Sequence, residues 1–396
     1  MAAADIHHRT PEFRAIYQRV LSQLKEFIGT KNDVILLASS GTGAMEAAVS
    51  NLTSPGDRVL VLSAGKFGER WVSLAKAFGC EVEVVSVPYG QTFSIEEVRA
   101  RITPDVRVIF VQSTETSTGA RHCIENIAAL ARESGALLVV DAITGLGTTH
   151  FDVDDWGIDV IIGGSQKAVM IPPGLAYCAV SDRAWQRMET SRSPRYYFDL
   201  RKERKSAAKG ESAYTPAVAL IAALGAALDY IAACSGGNIA QGRDALIHNA
   251  EVTAEMTRAA LTAMGLKLFA PTAPASAVTA VFAPDGMDSG AIVKGFKEQF
   301  AGVLSNGQGE MKGQIFRIAH LGFFDYLDTI AMIGGFEQVL SQLLGRDLLG
   351  VGLKIGQQVY AQRRGTSLAQ LLEADQRCSC GRPAADCAAT MATVSA

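Results

Sequence analysis

The chain has 396 residues, of which 48% are hydrophobic and 19% charged, with a formal net charge of −3. This is the balance of one large or two smaller globular domains, and it excludes a global basic field that would attract nucleic acid or anionic membrane. The start, "MAAADIHHRTPEF", has no charged segment followed by an apolar one, so no secretory signal is expected and a cytoplasmic location is the default.

Residues 1–30 read as an N-terminal segment. From there to about 260 a large α/β domain is expected, built on the apolar runs "VILLA" (34–38), "RVLVLS" (58–63), "EVEVVSV" (81–87), "VRVIFVQ" (106–112), "ALLVVDA" (136–142), "IDVIIGG" (158–164) and "LAYCAVS" (175–181). Helical stretches at 43–52, 66–78, 94–102 and 123–134 alternate with them. That alternation predicts a mostly parallel sheet flanked by helices, with its ligand site beyond the carboxyl ends of the strands.

The most apolar stretch, "AVALIAALGAALDYIAAC" (217–234), contains Asp229 and is short for a bilayer span, so a buried helix is expected. Residues 261–345 read as a smaller C-terminal α+β domain. Its expected strands are "LKLFA" (266–270), "AVTAVFAP" (277–284) and "QIFRIAHLG" (314–322), with helices near 288–300 and 326–344. Residues 346–396 read as a helical extension followed by a disordered tail. Cys80, Cys123, Cys178 and Cys234 read as small core residues of a reducing compartment, whereas Cys378, Cys380 and Cys387 crowd the tail.

Four features carry chemistry. "SSGTGAMEAA" (39–48) follows a strand and opens a helix, and Gly41 and Gly43 let backbone N–H groups turn toward a phosphate. Asp141 ends a buried strand, where a carboxylate needs either a turn role or a cationic partner. Lys167 sits in "IIGGSQKAVMIPPGLAY" (161–177), where the glycines are expected to leave room for a flat ring and Pro172-Pro173 to limit loop drift. A desolvated lysine there becomes a usable nucleophile and base. Arg317 lies inside an apolar strand and suits either a structural salt bridge or bidentate recognition of a carboxylate. Together they describe a site for pyridoxal 5'-phosphate acting on an amino acid.

"SGTGAMEAA", "VVDAITGLG" and "GGSQKAVMIPPGLA" resemble the class V aminotransferases of fold type I, and among them the alanine–glyoxylate and serine–glyoxylate (serine–pyruvate) enzymes. The resemblance spans roughly residues 7–345. It implies a fold type I α/β architecture, Lys167 as the Schiff-base lysine and Asp141 as partner of the pyridine nitrogen. Gly41, Thr42 and Gly43 would hold the phosphate with Gln166 beside them. Phe67 would stack on the cofactor, Thr116 would approach its ring oxygen, and Arg317 would bind the substrate carboxylate. Thr215 would reach the phosphate of a neighbouring subunit, which implies a homodimer. The relatives' Pro-Gly-Pro segment before the His-Arg region has no counterpart ahead of "IHHRTPEF", so the start is internal to a longer reading frame or that lid is missing.

The rival within the fold is a cysteine desulfurase or related lyase, which needs a cysteine on a loop upstream of Arg317. The stretch from "SAVTAVFAPDGMDSG" to Arg317 has none. The other rival is a partner subunit of a soluble hydrogenase. "CSCGRPAADC" (378–387) lacks a nearby histidine to complete a metal site, and no metal is expected. "RKERK" (201–205) reads as a solvated face near the site entrance. The amino donor and the acceptor stay open.

Overall fold

The computed structural model describes residues 6–365, so the Cys378, Cys380 and Cys387 cluster lies outside the described residues. The described chain opens on a helix that sequence reading passes over, Pro11–Ile28. Thr10 accepts the amide of Phe13 at 3.3 Å, proline occupies the first turn, and Gly29 closes the end at φ 78°. Phe13, Tyr17, Val20, Leu24 and Phe27 line its buried face.

Four strands follow: β1 (Asp33–Leu37), β2 (Arg58–Ser63), β3 (Glu81–Ser86) and β4 (Val106–Gln112). A short hairpin, β5 (Thr114–Glu115) and β6 (Ala120–Arg121), precedes β7 (Leu137–Asp141), β8 (Val160–Gly164) and β9 (Ala176–Val180). The main sheet has the order β1-β9-β8-β7-β4-β2-β3. Only β9 is antiparallel to its neighbours, so the carboxyl ends of the other six strands share one edge. The loops and helix starts that carry Gly41, Thr42, Gly43, Phe67, Thr116, Gln166 and Lys167 leave from that edge, where Asp141 also stands, as expected of a parallel sheet, whereas Thr215 lies between two helices.

The inner strands are apolar on both faces because both faces are covered, whereas the edge strand β3 carries Glu81 and Glu83 and is mostly half-buried or exposed. Leu60, Leu62, Ile109, Val111, Leu138 and Val140 enter one core, while Val59, Val61, Val108, Phe110 and Val139 enter the other. Successive residues alternate between the two layers, the period of a strand.

The second sheet has the order β10-β12-β11, from β10 (Val278–Phe282), β11 (Ser305–Asn306) and β12 (Ile315–Ala319). Helices Ser289–Phe300 and Tyr326–Leu344 cover it around Phe296, Phe316 and Phe336. The strand expected at 266–270 does not form. Leu268 makes a single bridge to Val281, since Gly265 at φ 92° and Pro271 leave too short an extended run between them.

Helix Val218–Ala233 is buried on one face only: Ile221, Leu224, Leu228 and Ile231 point inward, while Tyr230 is exposed and Asp229 pairs with Arg19 at 2.6 Å. No helix among the described residues is long and apolar enough to cross a membrane. Helix Ile239–Ala263 runs from the main-sheet core, which Ile239 enters, to the second core, which Leu261 enters. Helix Val351–Arg363 packs along it, capped by Glu337 accepting the amides of Gly350 (2.9 Å) and Leu353 (2.7 Å).

Two sequence expectations change here. Cys80 and Cys178 are buried as expected, but Cys123 is half-buried and Cys234 exposed, because both stand at helix ends. The "RKERK" run lies on helix Leu200–Ala207 and is not wholly solvated: Glu203 is buried and accepts the amide of Ala213 at 3.0 Å.

Candidate active site

The helix Gly41–Leu52 begins at the carboxyl end of β1, and its N-cap residue, Ser40, makes no side-chain cap bond. The Gly43 amide turns back to the Ser40 carbonyl at 2.9 Å, which leaves the Gly41 and Thr42 amides for an outside acceptor, the condition for anion binding at a helix start. The two glycines are sterically required. A Cβ on Gly41 would collide with Ile143, and one on Gly43 would lie 2.6 Å from Ser39 Cβ and 2.9 Å from Phe198 Cζ.

Asp141 ends β7 beside Gln112 of β4. Its Oδ1 accepts the amide of Ile143 at 2.9 Å, and no cation lies within ion-pair distance of its carboxylate among the described residues. Burial, reinforced by the nearby Glu115 charge, pushes its pKa up to about 6, although the Ile143 amide, Arg70 and Lys167 pull the other way. A buried carboxylate with spare acceptor capacity is unfavourable unless a cation arrives.

Lys167 follows β8 and is half-buried, and its amine has no hydrogen-bond or ion-pair partner among the described residues. Burial lowers its pKa; Asp141 opposes that shift and Arg317 adds to it. Its loop is held from below. Ser165 Oγ donates to the Pro172 carbonyl at 2.9 Å and accepts the Leu175 amide at 3.2 Å, while Met170 N–H donates to the Lys167 carbonyl at 3.0 Å. Met170 is driven to φ 62°, a conformation that side chains other than glycine rarely adopt.

One expectation about this stretch is corrected. Gly163 makes no room for an external ring, since the space in front of it is filled by the phenol ring of Tyr177, its register partner on β9. Only Gly164 faces the site side, where a Cβ would meet Ile143 at 3.2 Å and Gln166 Oε1 at 3.4 Å. Gly163→Ala is therefore expected to destabilise the fold by about 1–3 kcal/mol through overpacking, read as a lower urea midpoint in the cofactor-free protein. An unchanged midpoint would mean that Tyr177 has free space to move.

Arg317, on β12, is buried, and three backbone hydrogen bonds fix its plane. Nε and Nη2 donate to the Asn306 carbonyl at 3.2 and 3.0 Å, and Nη1 to the Thr116 carbonyl at 2.8 Å. No carboxylate among the described residues pairs with it directly, so the structural salt bridge is absent. Thr116 also bonds the Thr144 hydroxyl at 3.0 Å.

Residues 2–308 match the family model described as Aminotransferase class-V. The chain belongs to that family. This aminotransferase is 41% identical to the "Soluble hydrogenase, small subunit" of a Synechococcus strain, over 85% of this chain and 88% of that one. It is 34% identical to the "L-aspartate--glyoxylate aminotransferase" of Paracoccus denitrificans, over 90% and 91%. Among solved structures it resembles alanine–glyoxylate aminotransferase from Nostoc, with a TM-score of 0.79 and 31% identity, covering 85% of this chain and 90% of the other. These likenesses place it in fold type I and make pyridoxal 5'-phosphate its cofactor.

The residues present fit that group. The uncapped helix start suits a phosphate, and the buried Asp141 carboxylate suits a protonated pyridine nitrogen. Gln166 Oε1 is buried without a partner, as expected of a group awaiting a ligand. Phe67, half-buried at the start of helix Lys66–Ala77, carries the Arg70 guanidinium 4.7 Å above its ring, and Arg70 Nη1 donates to Thr42 Oγ1 at 3.0 Å.

Sequence reading missed Arg70 and Glu115. The signal for Arg70 is its place three residues after Phe67, which on a helix puts both on one side. Glu115 stands in "TETSTG" and gives no sign that its carboxylate is fully buried. Thr215 is exposed, in a loop beside His7 and His8, and no hydrogen bond among the described residues joins it to Lys167 or Asp141.

Proposed function

We propose that this aminotransferase moves an amino group from a small donor, alanine or serine, to glyoxylate or pyruvate. The observation that carries the reading is Arg317, held flat by two carbonyls beside Lys167 and Asp141 with no carboxylate of its own. It is ready for one substrate carboxylate. The guanidinium of Arg70, which acts on Asp141, is committed to Thr42 and Phe67, which argues against a donor with a second carboxylate.

When bound, pyridoxal phosphate supplies the electron sink that lets the donor's Cα–H bond ionise. The chain supplies the rest. Gly41, Thr42, Gly43 and Gln166 would hold the phosphate and Phe67 would cover the ring. Asp141 would hold a proton on the pyridine nitrogen, and Thr116 would approach the ring oxygen. Lys167, whose burial favours the neutral amine, would take the proton from Cα and return it on the other side of the exchange. Arg317 would orient the substrate through its carboxylate. Thr215 is proposed to complete the site of a neighbouring subunit, making the working assembly a homodimer.

The test is a panel of alanine, serine, aspartate and cysteine as donors against glyoxylate and pyruvate. Alanine or serine with glyoxylate is expected to give the highest kcat/KM. A preference for aspartate would overturn the donor class, and sulfide release from cysteine would point to the desulfurase alternative. The 41% relative's name supplies a second reading, a partner role beside a redox enzyme; co-purification of such an enzyme with no transamination by any donor would favour it.

A further inference from the structure

Glu115 is fully buried, and its carboxylate is spent on holding other parts of the site. It accepts the amides of Phe67 (3.1 Å) and Gly68 (3.1 Å) at the start of helix Lys66–Ala77, and also the amide and hydroxyl of Ser117. That helix has glycine, Gly65, at its N-cap and no side-chain cap of its own. Glu115 thus caps it from a different strand, helped by Ser117 Oγ, which accepts the amide of Lys66 at 3.1 Å. The fit is close: a Cβ on Gly65 would lie 2.6 Å from both the Glu115 carboxyl carbon and Ser117 Oγ.

The same turn faces Arg317. The residue after Glu115 provides the carbonyl that accepts Arg317 Nη1, and the Glu115 charge favours the protonated guanidinium against its burial. One turn therefore fixes the helix bearing Phe67 and Arg70 on one side and the guanidinium on the other.

We propose that Glu115 is a positioning residue of the transamination site. It sets the placement and charge balance of Arg317, and so the strength with which a substrate carboxylate is held. This rests on Arg317 being the carboxylate-binding residue, and the test separates the two ideas.

Full-length holoenzyme is compared with Glu115→Gln, Glu115→Asp and Arg317→Lys. Glutamine keeps the volume but loses the charge and turns an NH₂ group toward amide donors. Glu115→Gln is expected to raise KM for the donor and the acceptor about tenfold or more, with kcat within about threefold. Calorimetric titration of pyruvate into the amine-free enzyme, where nothing turns over, should show the same loss of affinity. Glu115→Asp, which keeps the charge, should recover part of it. A Glu115→Gln enzyme with a lower melting temperature but unchanged KM and pyruvate affinity would overturn the proposal, leaving Glu115 as a cap alone. If Glu115→Gln does not fold, Glu115→Asp decides: unaltered KM there overturns the proposal too. Unaltered KM in Arg317→Lys would instead sink the reading of Arg317.

Discussion

Lys167→Ala is expected to lower transamination by about 10⁴-fold or more, because one substitution removes both the cofactor linkage and the proton carrier at Cα. The wild-type protein should show a visible absorption band that borohydride bleaches while fixing the cofactor covalently to the chain; the variant should bind cofactor reversibly and release all of it on denaturation after borohydride. The effect should be chemical rather than structural. The loop around Lys167 is held by Ser165, Leu175 and Met170 through bonds that do not involve the lysine side chain. A variant that still traps cofactor under borohydride would remove Lys167 from the assignment.

Asp141→Asn is expected to do two opposite things. Turnover should fall by about 10²-fold or more, since an amide cannot hold a proton on the pyridine nitrogen as a carboxylate does, while cofactor binding persists. Stability of the cofactor-free protein should rise. The folded carboxyl has a pKa of about 6, above the ordinary value of 3.8, so the folded chain binds this proton more tightly than the unfolded one. Stability is thus lost as pH climbs between those two values, by on the order of 2–3 kcal/mol in total. Asparagine keeps the bond to the Ile143 amide without the charge. Urea unfolding of both proteins without cofactor should show a wide gap at pH 7.5 that closes below pH 4. A gap that does not change with pH would mean that the carboxylate finds a cation in the cofactor-free state.

The main sheet was legible because its inner strands are short apolar runs covered on both faces and bounded by turns, and the edge strand β3 still shows a clear Glu/Val alternation. Lys167, Asp141 and the Gly41–Gly43 turn were legible because a charge or paired glycines at a strand end is unusual in itself. Residues 266–270 misled because an apolar run of strand length forms a strand only if its flanks allow a ladder, and Gly265 and Pro271 do not. Gly163 misled because the residue that fills its space, Tyr177, is 14 positions away and meets it only through antiparallel pairing with β9. Glu115 was hidden for a related reason: its partners belong to a helix that ends 38 residues earlier, and nothing local distinguishes a buried glutamate from a surface one.

Helix Ile239–Ala263 has a mechanical consequence. Its 25 residues make a rod about 37 Å long, seated in one core at its start and in the other near its end. Arg317 and Lys167 belong to the two halves whose cores this rod joins, and Arg317 already reaches the Thr116 carbonyl of the other half at 2.8 Å, so the rod helps keep the two side chains in register. Helix Val351–Arg363 splints the rod along its length and is pinned by a two-pronged contact from Arg363 to Glu255 at 2.9 and 3.1 Å. The relative placement of the two cores thus depends partly on the last described helix, far from any reacting atom, and loosening that contact is expected to relax how Arg317 is held against the Lys167 side of the site.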